Sequence, residues 1–187
     1  HEQCVKEIIK EEYPEVYISL SSEVLPQFRE YERFTTTGLN AYIGPTTAKY
    51  IKQLQQTLKE QGYRAKVHLM QSFGGVASAE SAQEKPVNLL LSGPVGGVLG
   101  AIWTTKLTKI NNVITLDIGG TSADISVLAD LNPSMKHLLD TKVGGYAAMV
   151  PMIDVGTIGA GGGSIAYIDE GGFFRVGPQS AGAVPGP

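Results

Sequence analysis

The run Asp117-Ile-Gly-Gly-Thr-Ser-Ala-Asp124 holds the residue types best suited to chemistry. A carboxylate at the end of a strand, followed by two glycines and a hydroxyl, can hold a hydrated Mg²⁺ while bare backbone N–H groups approach phosphate oxygens. On that reading Asp117 is the metal-binding carboxylate, Asp117 and Asp124 are the candidate catalytic pair, and Gly119, Gly120, Thr121 and Ser122 face a nucleotide. The same residues would equally build an ordinary Gly-Gly hairpin turn. A second glycine-dense run, Gly156 to Ser164, offers Gly161, Gly162 and Gly163 as backbone that reaches a nucleotide or a partner, although such a loop is as often a plain turn. Asp154, just before it, reads either as a metal or base residue or as a structural, hydrogen-bonded aspartate. Arg29, Glu30 and Arg33 read first as a solvated charged segment and second as support for a cleft. His1, His68 and His137 lack metal-ligand spacing, Cys4 has no catalytic context, and neither a Gly-x-Ser-x-Gly elbow nor a P-loop occurs.

These residues must be carried by particular elements. Val113–Asp117 and Ser122–Leu128 read as strands joined by Ile118-Gly-Gly-Thr121 as a tight hairpin. In the second strand Ala123, Ile125 and Val127 alternate with Ser122, Asp124 and Ser126, which predicts one apolar and one polar face. Upstream, Gly93, Gly97 and Ala101 recur every fourth residue along a predicted helix to about Leu107, a smooth stripe suited to close helix packing. Farther back, the pattern predicts a helical end over Cys4–Glu12, a strand over Val16–Leu20, and a helix from about Thr35 to Gln61 interrupted at Pro45 and capped by Gly62. That helix places Thr47, Ile51, Leu54 and Leu58 on one face. Lys66–Met70 reads as a strand, Gly74-Gly75 as a turn, and Ser78–Glu84 as a short helix ended by Pro86. Met149–Val155 and Ser164–Ile168 are further strand candidates, and Asp169-Glu-Gly-Gly172 is a hairpin turn into Phe173–Val176. The expected class is α/β with a mixed sheet and glycine-rich β-hairpins, divided near Gly93 into 1–92 and 93–187.

Composition narrows the function. A chain of 187 residues is long enough for a core without staples, since ~150 residues already bury roughly 70% of the unfolded surface. Its 23 glycines exceed the usual ~7% share, which points to loops that approach something closely. A net charge of −3 gives no footprint for nucleic acid, and no apolar run reaches the ~18 residues of a membrane span. One cysteine excludes an internal disulfide, and the first residues lack the order of a secretory signal; both favour the cytoplasm. The missing initiator methionine and the turn-rich last residues give the sequence the look of an excised piece.

A small-residue helix, a strand and an Asp-x-Gly-Gly-Thr hairpin, in that order, resemble the second half of the ATPase superfamily of sugar kinases, heat-shock chaperones and actin. There the helix connects two ribonuclease-H-like lobes and the hairpin is the second phosphate loop. Longer strings narrow the resemblance to the hydantoinase A/oxoprolinase family over essentially the whole chain: Arg29-Glu-Tyr-Glu-Arg33 with Asn40-Ala-Tyr42, Met70-Gln-Ser72 with Gly74-Gly-Val76, Ser92-Gly-Pro94, Asp117–Ser122, Gly159–Ala166, and Val176-Gly-Pro178 with Ser180–Ala183 and Pro185–Pro187. Phe73, Val95 and Ala123 depart from the family's usual Asn, Ala and Thr, which bears on substrate class more than on fold.

The resemblance implies a parent chain that binds ATP and Mg²⁺ between two lobes, usually with a hydantoinase B-type partner. Such a parent opens a small cyclic amide such as a hydantoin or 5-oxoproline. Acetone and acetophenone carboxylases share the pattern, and a non-catalytic ATP-binding scaffold is a further alternative. It also implies that 1–92 is the rear of the first lobe and 93–187 the connecting helix and front of the second. The family's opening phosphate loop is absent, because Asp-x-Gly-Gly-Thr occurs only once, so this piece alone is expected to have little or no ATPase activity.

Overall fold

The computed structural model describes residues 1–182, 184 and 186; Ala183, Pro185 and Pro187 of the last sequence motif lie outside the described residues. The chain forms two compact units, His1–Ser92 with Lys136–Met152, and Gly93–Met135 with Ile153–Pro187.

In the first unit, α1 (Glu2–Glu12) and the short α2 (Ser21–Val24) precede α3 (Glu30–Glu60). The predicted interruption of α3 is absent: the helix begins earlier and runs through Pro45. A proline inside a helix costs ~3 kcal/mol. Residues on both sides are buried, Thr36 and Asn40 before it and Ile51 after it, so packing on either side of Pro45 opposes that cost. Gly62 ends the helix at φ 88, where the Gly62 N–H reaches Lys59 O and the Tyr63 N–H reaches Leu58 O. These two bonds are those of a Schellman cap.

Val16–Leu20 does not become a strand. No strand among the described residues lies beside it, and side chains anchor it instead. The Tyr17 hydroxyl donates to Gln83 O and Glu84 O at 2.7 and 3.1 Å, and Asn40 Nδ2 donates to Ser19 Oγ at 2.9 Å. The Tyr17 ring lies directly on Gly44, where a Cβ would overlap it. Chain order then gives β1 (His68–Met70), the Gly74-Gly75 turn, β2 (Val76–Ser78) and α4 (Ala79–Glu84). Ser78 caps α4 by accepting from Ser81 N at 3.2 Å. Ile51, Ala77, Ala79 and Ala82 form one core cluster here.

The second unit starts with α5 (Ser92–Thr105), followed by β3 (Val113–Ile118), β4 (Ala123–Ala129) and β5 (Asn132–Pro133). Its smooth stripe is not in a tight contact: a methyl added at Gly93 or Gly97 would meet no atom within 4 Å, and the same holds at Gly100 beside the stripe. The alternation predicted for β4 is reversed at its far end. Ser126 and Leu128 are buried and Val127 is exposed, because Ser126 Oγ donates to Asp154 O at 2.8 Å from an adjacent segment. Opposite Val127, Ile114 is likewise exposed.

The chain then forms a two-stranded hairpin of β6 (Lys142–Val143) and β7 (Tyr146–Ala147), which belongs to the first unit. Sequence reasoning placed all of 93–187 together. Instead Ala148, Val150 and Met152 bury alternate side chains with Val87, and Thr36 Oγ1 accepts from Met149 N at 2.9 Å. That alternation looked like a strand over Met149–Val155, but only an isolated bridge, Met135 to Ile153, forms. The strand lies further on, as β8 (Gly156–Ile158) beside β4, and β9 (Ser164–Ile168) pairs with β10 (Phe174–Ser180). At the β9–β10 turn Asp169 accepts from Gly171 N, Phe173 N and Arg175 Nε. The Arg175 bond, helped by those backbone N–H groups, holds the Asp169 carboxyl below its usual range. The fold is thus mixed α/β, but every strand pair among the described residues is antiparallel, so the sheets are not mixed. Among the described residues no helix is long and apolar enough to cross a membrane.

Candidate functional site

The β3–β4 hairpin places Asp117 directly opposite Asp124. Side chains of such a pair share one face with Cβ atoms roughly 5 Å apart, and like charges there repel. No ion pair among the described residues offsets either carboxylate. On the other side of β4, Thr157 of β8 is the register partner of Asp124 and donates its hydroxyl to Asp124 Oδ1 at 2.5 Å. Sequence reasoning missed Thr157, because Gly156–Ile158 read as loop rather than strand. A groove of about 460 Å³ runs between α5 and these strands, lined by Pro94, Gly97, Ala101, Thr115, Asp117 and Asp124.

Beyond the pair, Gly119 N donates to Ser122 O at 2.9 Å and closes a loop of Gly119, Gly120, Thr121 and Ser122. Gly120 and Thr121 are exposed, and a Cβ on Gly120 would meet nothing within 4 Å, so the tip is open to an approaching ligand. The second glycine run lies against this tip. Gly162 N donates to Gly119 O at 2.9 Å and Gly163 N to Gly120 O at 2.6 Å. A Cβ on Gly161 would sit 2.6 Å from Gly119 O and 2.7 Å from Ser122 N, and one on Gly163 would sit 2.9 Å from Gly120 O. Only glycine permits this approach. The structure therefore brings Asp117, Asp124, Gly119–Ser122 and Gly161–Gly163 together in the second unit.

Other candidates lie apart from this cluster in their bonding. Asp154 is exposed, and its backbone is what the fold uses, donating to Ser134 O and accepting from Ser126. Arg33 belongs to the first unit, where Nε donates to Ser21 Oγ at 2.8 Å and Nη2 approaches Glu2 at 3.3 Å. Arg29 pairs with Glu32 at 3.5 Å. Two further motif residues have structural work: Asn40 is fully buried and accepts from Val87 N at 3.2 Å, and Ser72 Oγ donates toward Asn88 O and Leu90 O at 2.7 Å.

Among the described residues no group of three or more His, Cys, Asp or Glu side chains is placed to hold a metal. Mg²⁺ commonly keeps several waters and takes only one or two carboxylates together with substrate phosphates. The Asp117–Asp124 pair supplies that donor set, so these residues fit the ion.

A model of the hydantoinase/oxoprolinase family matches residues 33–187. The chain belongs to that family. It is 40% identical to the caprolactamase subunit alpha of Pseudomonas jessenii over 187 residues, covering all of this chain and 27% of that protein. The crystal structure of the ATP-dependent caprolactamase from the same organism superposes with a TM-score of 0.79 at 39% identity, over 100% of this chain and 27% of the other. A nucleotide-free acetone carboxylase structure gives 0.78 at 27% identity, over 97% of this chain and 25% of the other. The 5-oxoprolinase of Dictyostelium discoideum is 35% identical, covering all of this chain and 15% of that protein. The chain thus spans less than a third of the length of each of these proteins.

Proposed function

We propose that this chain is a section of an ATP-dependent cyclic-amide hydrolase subunit and carries one of its two phosphate loops. It would form the rear of one ribonuclease-H-like lobe and the front of the next, with a hydantoinase B-type partner completing the enzyme. The observation that carries this reading is the unbalanced Asp117–Asp124 pair at the base of an open glycine turn, braced by a second glycine loop. The higher identity to a caprolactamase than to acetone carboxylase favours ring opening over carboxylation.

A ring amide is a poor electrophile, and bound Mg²⁺-ATP would supply the phosphoryl group that makes its carbonyl open to water. This chain's own contribution is binding and orientation. Asp117 and Asp124 would hold the cation's coordination face, Thr157 fixes the orientation of Asp124, and Gly119, Gly120, Thr121 and Ser122 present backbone and hydroxyl donors to phosphate oxygens.

The test is phosphate release by the full-length protein with its partner, given Mg²⁺-ATP and 5-oxoproline, a hydantoin, caprolactam, or a ketone plus bicarbonate. Stimulation by a ring amide is expected and names the substrate. Stimulation only by ketone with bicarbonate would move the protein to the carboxylases, and none by any substrate would leave an ATP-binding scaffold. Asp117→Asn, nearly isosteric, is expected to abolish metal-dependent turnover with an unchanged melting curve; retained turnover would remove Asp117 from the site.

A further inference from the structure

The two glycine loops are bonded in one direction only. Gly162 and Gly163 give their N–H groups, and Gly119 and Gly120 give their carbonyls. The Gly119–Gly120 and Gly120–Thr121 peptides are trans, since the one cis bond among the described residues is Gly177–Pro178. In a trans peptide the carbonyl and the following N–H point in opposite directions. Drawing both carbonyls toward the second loop therefore turns the N–H groups of Gly120 and Thr121 away from it, side by side. Neither N–H has a hydrogen-bond partner among the described residues, whereas Gly119 N is already used by Ser122 O.

We propose that Gly161–Gly163 is a positioning element rather than a ligand-contacting loop: it captures the Gly119 and Gly120 carbonyls and so aims the Gly120 and Thr121 N–H groups at phosphate oxygens. This rests on the phosphate-loop reading given above. The brace is itself held, because Gly161 N donates to Ser164 Oγ at 2.8 Å, and Gly163 O accepts from Ala181 N at 2.8 Å and Ser180 Oγ at 3.2 Å. The buried Gly163 and the backbone-crowded Gly161 face the first loop, as a brace requires. Adjacent backbone N–H groups that point the same way are a recurrent anion cradle. Left free to rotate, the same peptides would present carbonyl oxygens, which repel phosphate.

The experiment is calorimetric titration of the full-length protein and its partner with Mg²⁺-ATP and, separately, with adenosine. Gly161→Ala pushes a methyl into Gly119 O and Ser122 N. The dissociation constant for ATP is expected to rise about tenfold or more, while that for adenosine stays within about twofold. Ser164→Ala removes the acceptor of Gly161 N without adding an atom, and it should move the same ratio in the same direction by less. It keeps the test decisive where Gly161→Ala fails to fold. An equal loss for both ligands would assign the loop to nucleoside contact or to general stability and overturn the proposal. An unchanged ratio in both variants would overturn it as well. Absence of ATP binding by the unsubstituted protein would instead overturn the phosphate-loop reading on which the proposal stands.

Discussion

Where α1, α2 and α3 meet, side chains make the hydrogen bonds; around the β3–β4 turn, main chains make them. In the first region Glu2 accepts from Ser21, Ser22 and Arg33, and Asn40 bonds Ser19, Glu84 and Val87. In the second, four glycines bond each other, and Asp117 and Asp124 have no cationic partner among the described residues. Side chains tie the first region because its backbone groups are already consumed inside helices, and the second works through backbone because only bare backbone fits so closely. One region should therefore respond to pH and to the loss of a side chain, the other to the gain of a single methyl.

The largest effect expected is at Asn40. Asn40→Ala would leave the buried Val87 N–H without this partner and empty a fully buried side-chain position, a loss of about 3 kcal/mol measured by urea denaturation. A change below half of that would mean that water replaces the amide. Gly161→Ala comes next, at about 2 kcal/mol for overpacking against backbone, and a neutral result would show that the two loops separate easily.

Acid should act on the first region. Hydrogen bonds from Ser21 and Ser22, aided by Arg33, lower the Glu2 carboxyl from its ordinary 4.5 to about 2. The folded value lies below the unfolded one, so this stabilisation is fully present above pH 4.5 and lost as pH falls toward 2. Glu2→Gln should flatten the helical circular-dichroism signal against pH across that window; an unaltered acid transition would show that the cluster contributes nothing there. The smallest effect is at Gly100, where a methyl meets no atom within 4 Å: Gly100→Ala should raise stability by up to about 1 kcal/mol through helix propensity. A loss at Gly100 would show that this exposed position of α5 is covered in the full-length protein.

Several elements were legible in the sequence because their signals are local. The Gly62 cap, the Ser78-capped helix, the Gly74-Gly75 turn and the Asp117–Asp124 hairpin each rest on residues within a few positions of one another. Val16–Leu20 and Met149–Val155 misled for one reason: β-rich composition marks a segment that is extended and half-buried, and says nothing of whether a strand lies beside it. Pro45 misled in the opposite sense, since α3 stays helical through it while packing against the short helix Pro86–Leu89, α4 and β7, which lie far along the chain. Thr157 was invisible because its partner, Asp124, is 33 residues away.

The motif strings and their order were enough to mark the family, since residue identity at fixed spacing is a property of the chain itself. So too was a tight glycine hairpin between two strands, because short-range backbone geometry dictates it; the strand bounds read from sequence set Asp117 against Ser122, and the register that sets it against Asp124 came from the structure. Only the tertiary structure decided that Arg33, Asn40 and Ser72 are internal ties, that Lys136–Met152 returns to the first unit, and that the second glycine run braces the first. These depend on which distant backbone groups are left unsatisfied and what comes close enough to satisfy them, and a linear pattern carries no record of that.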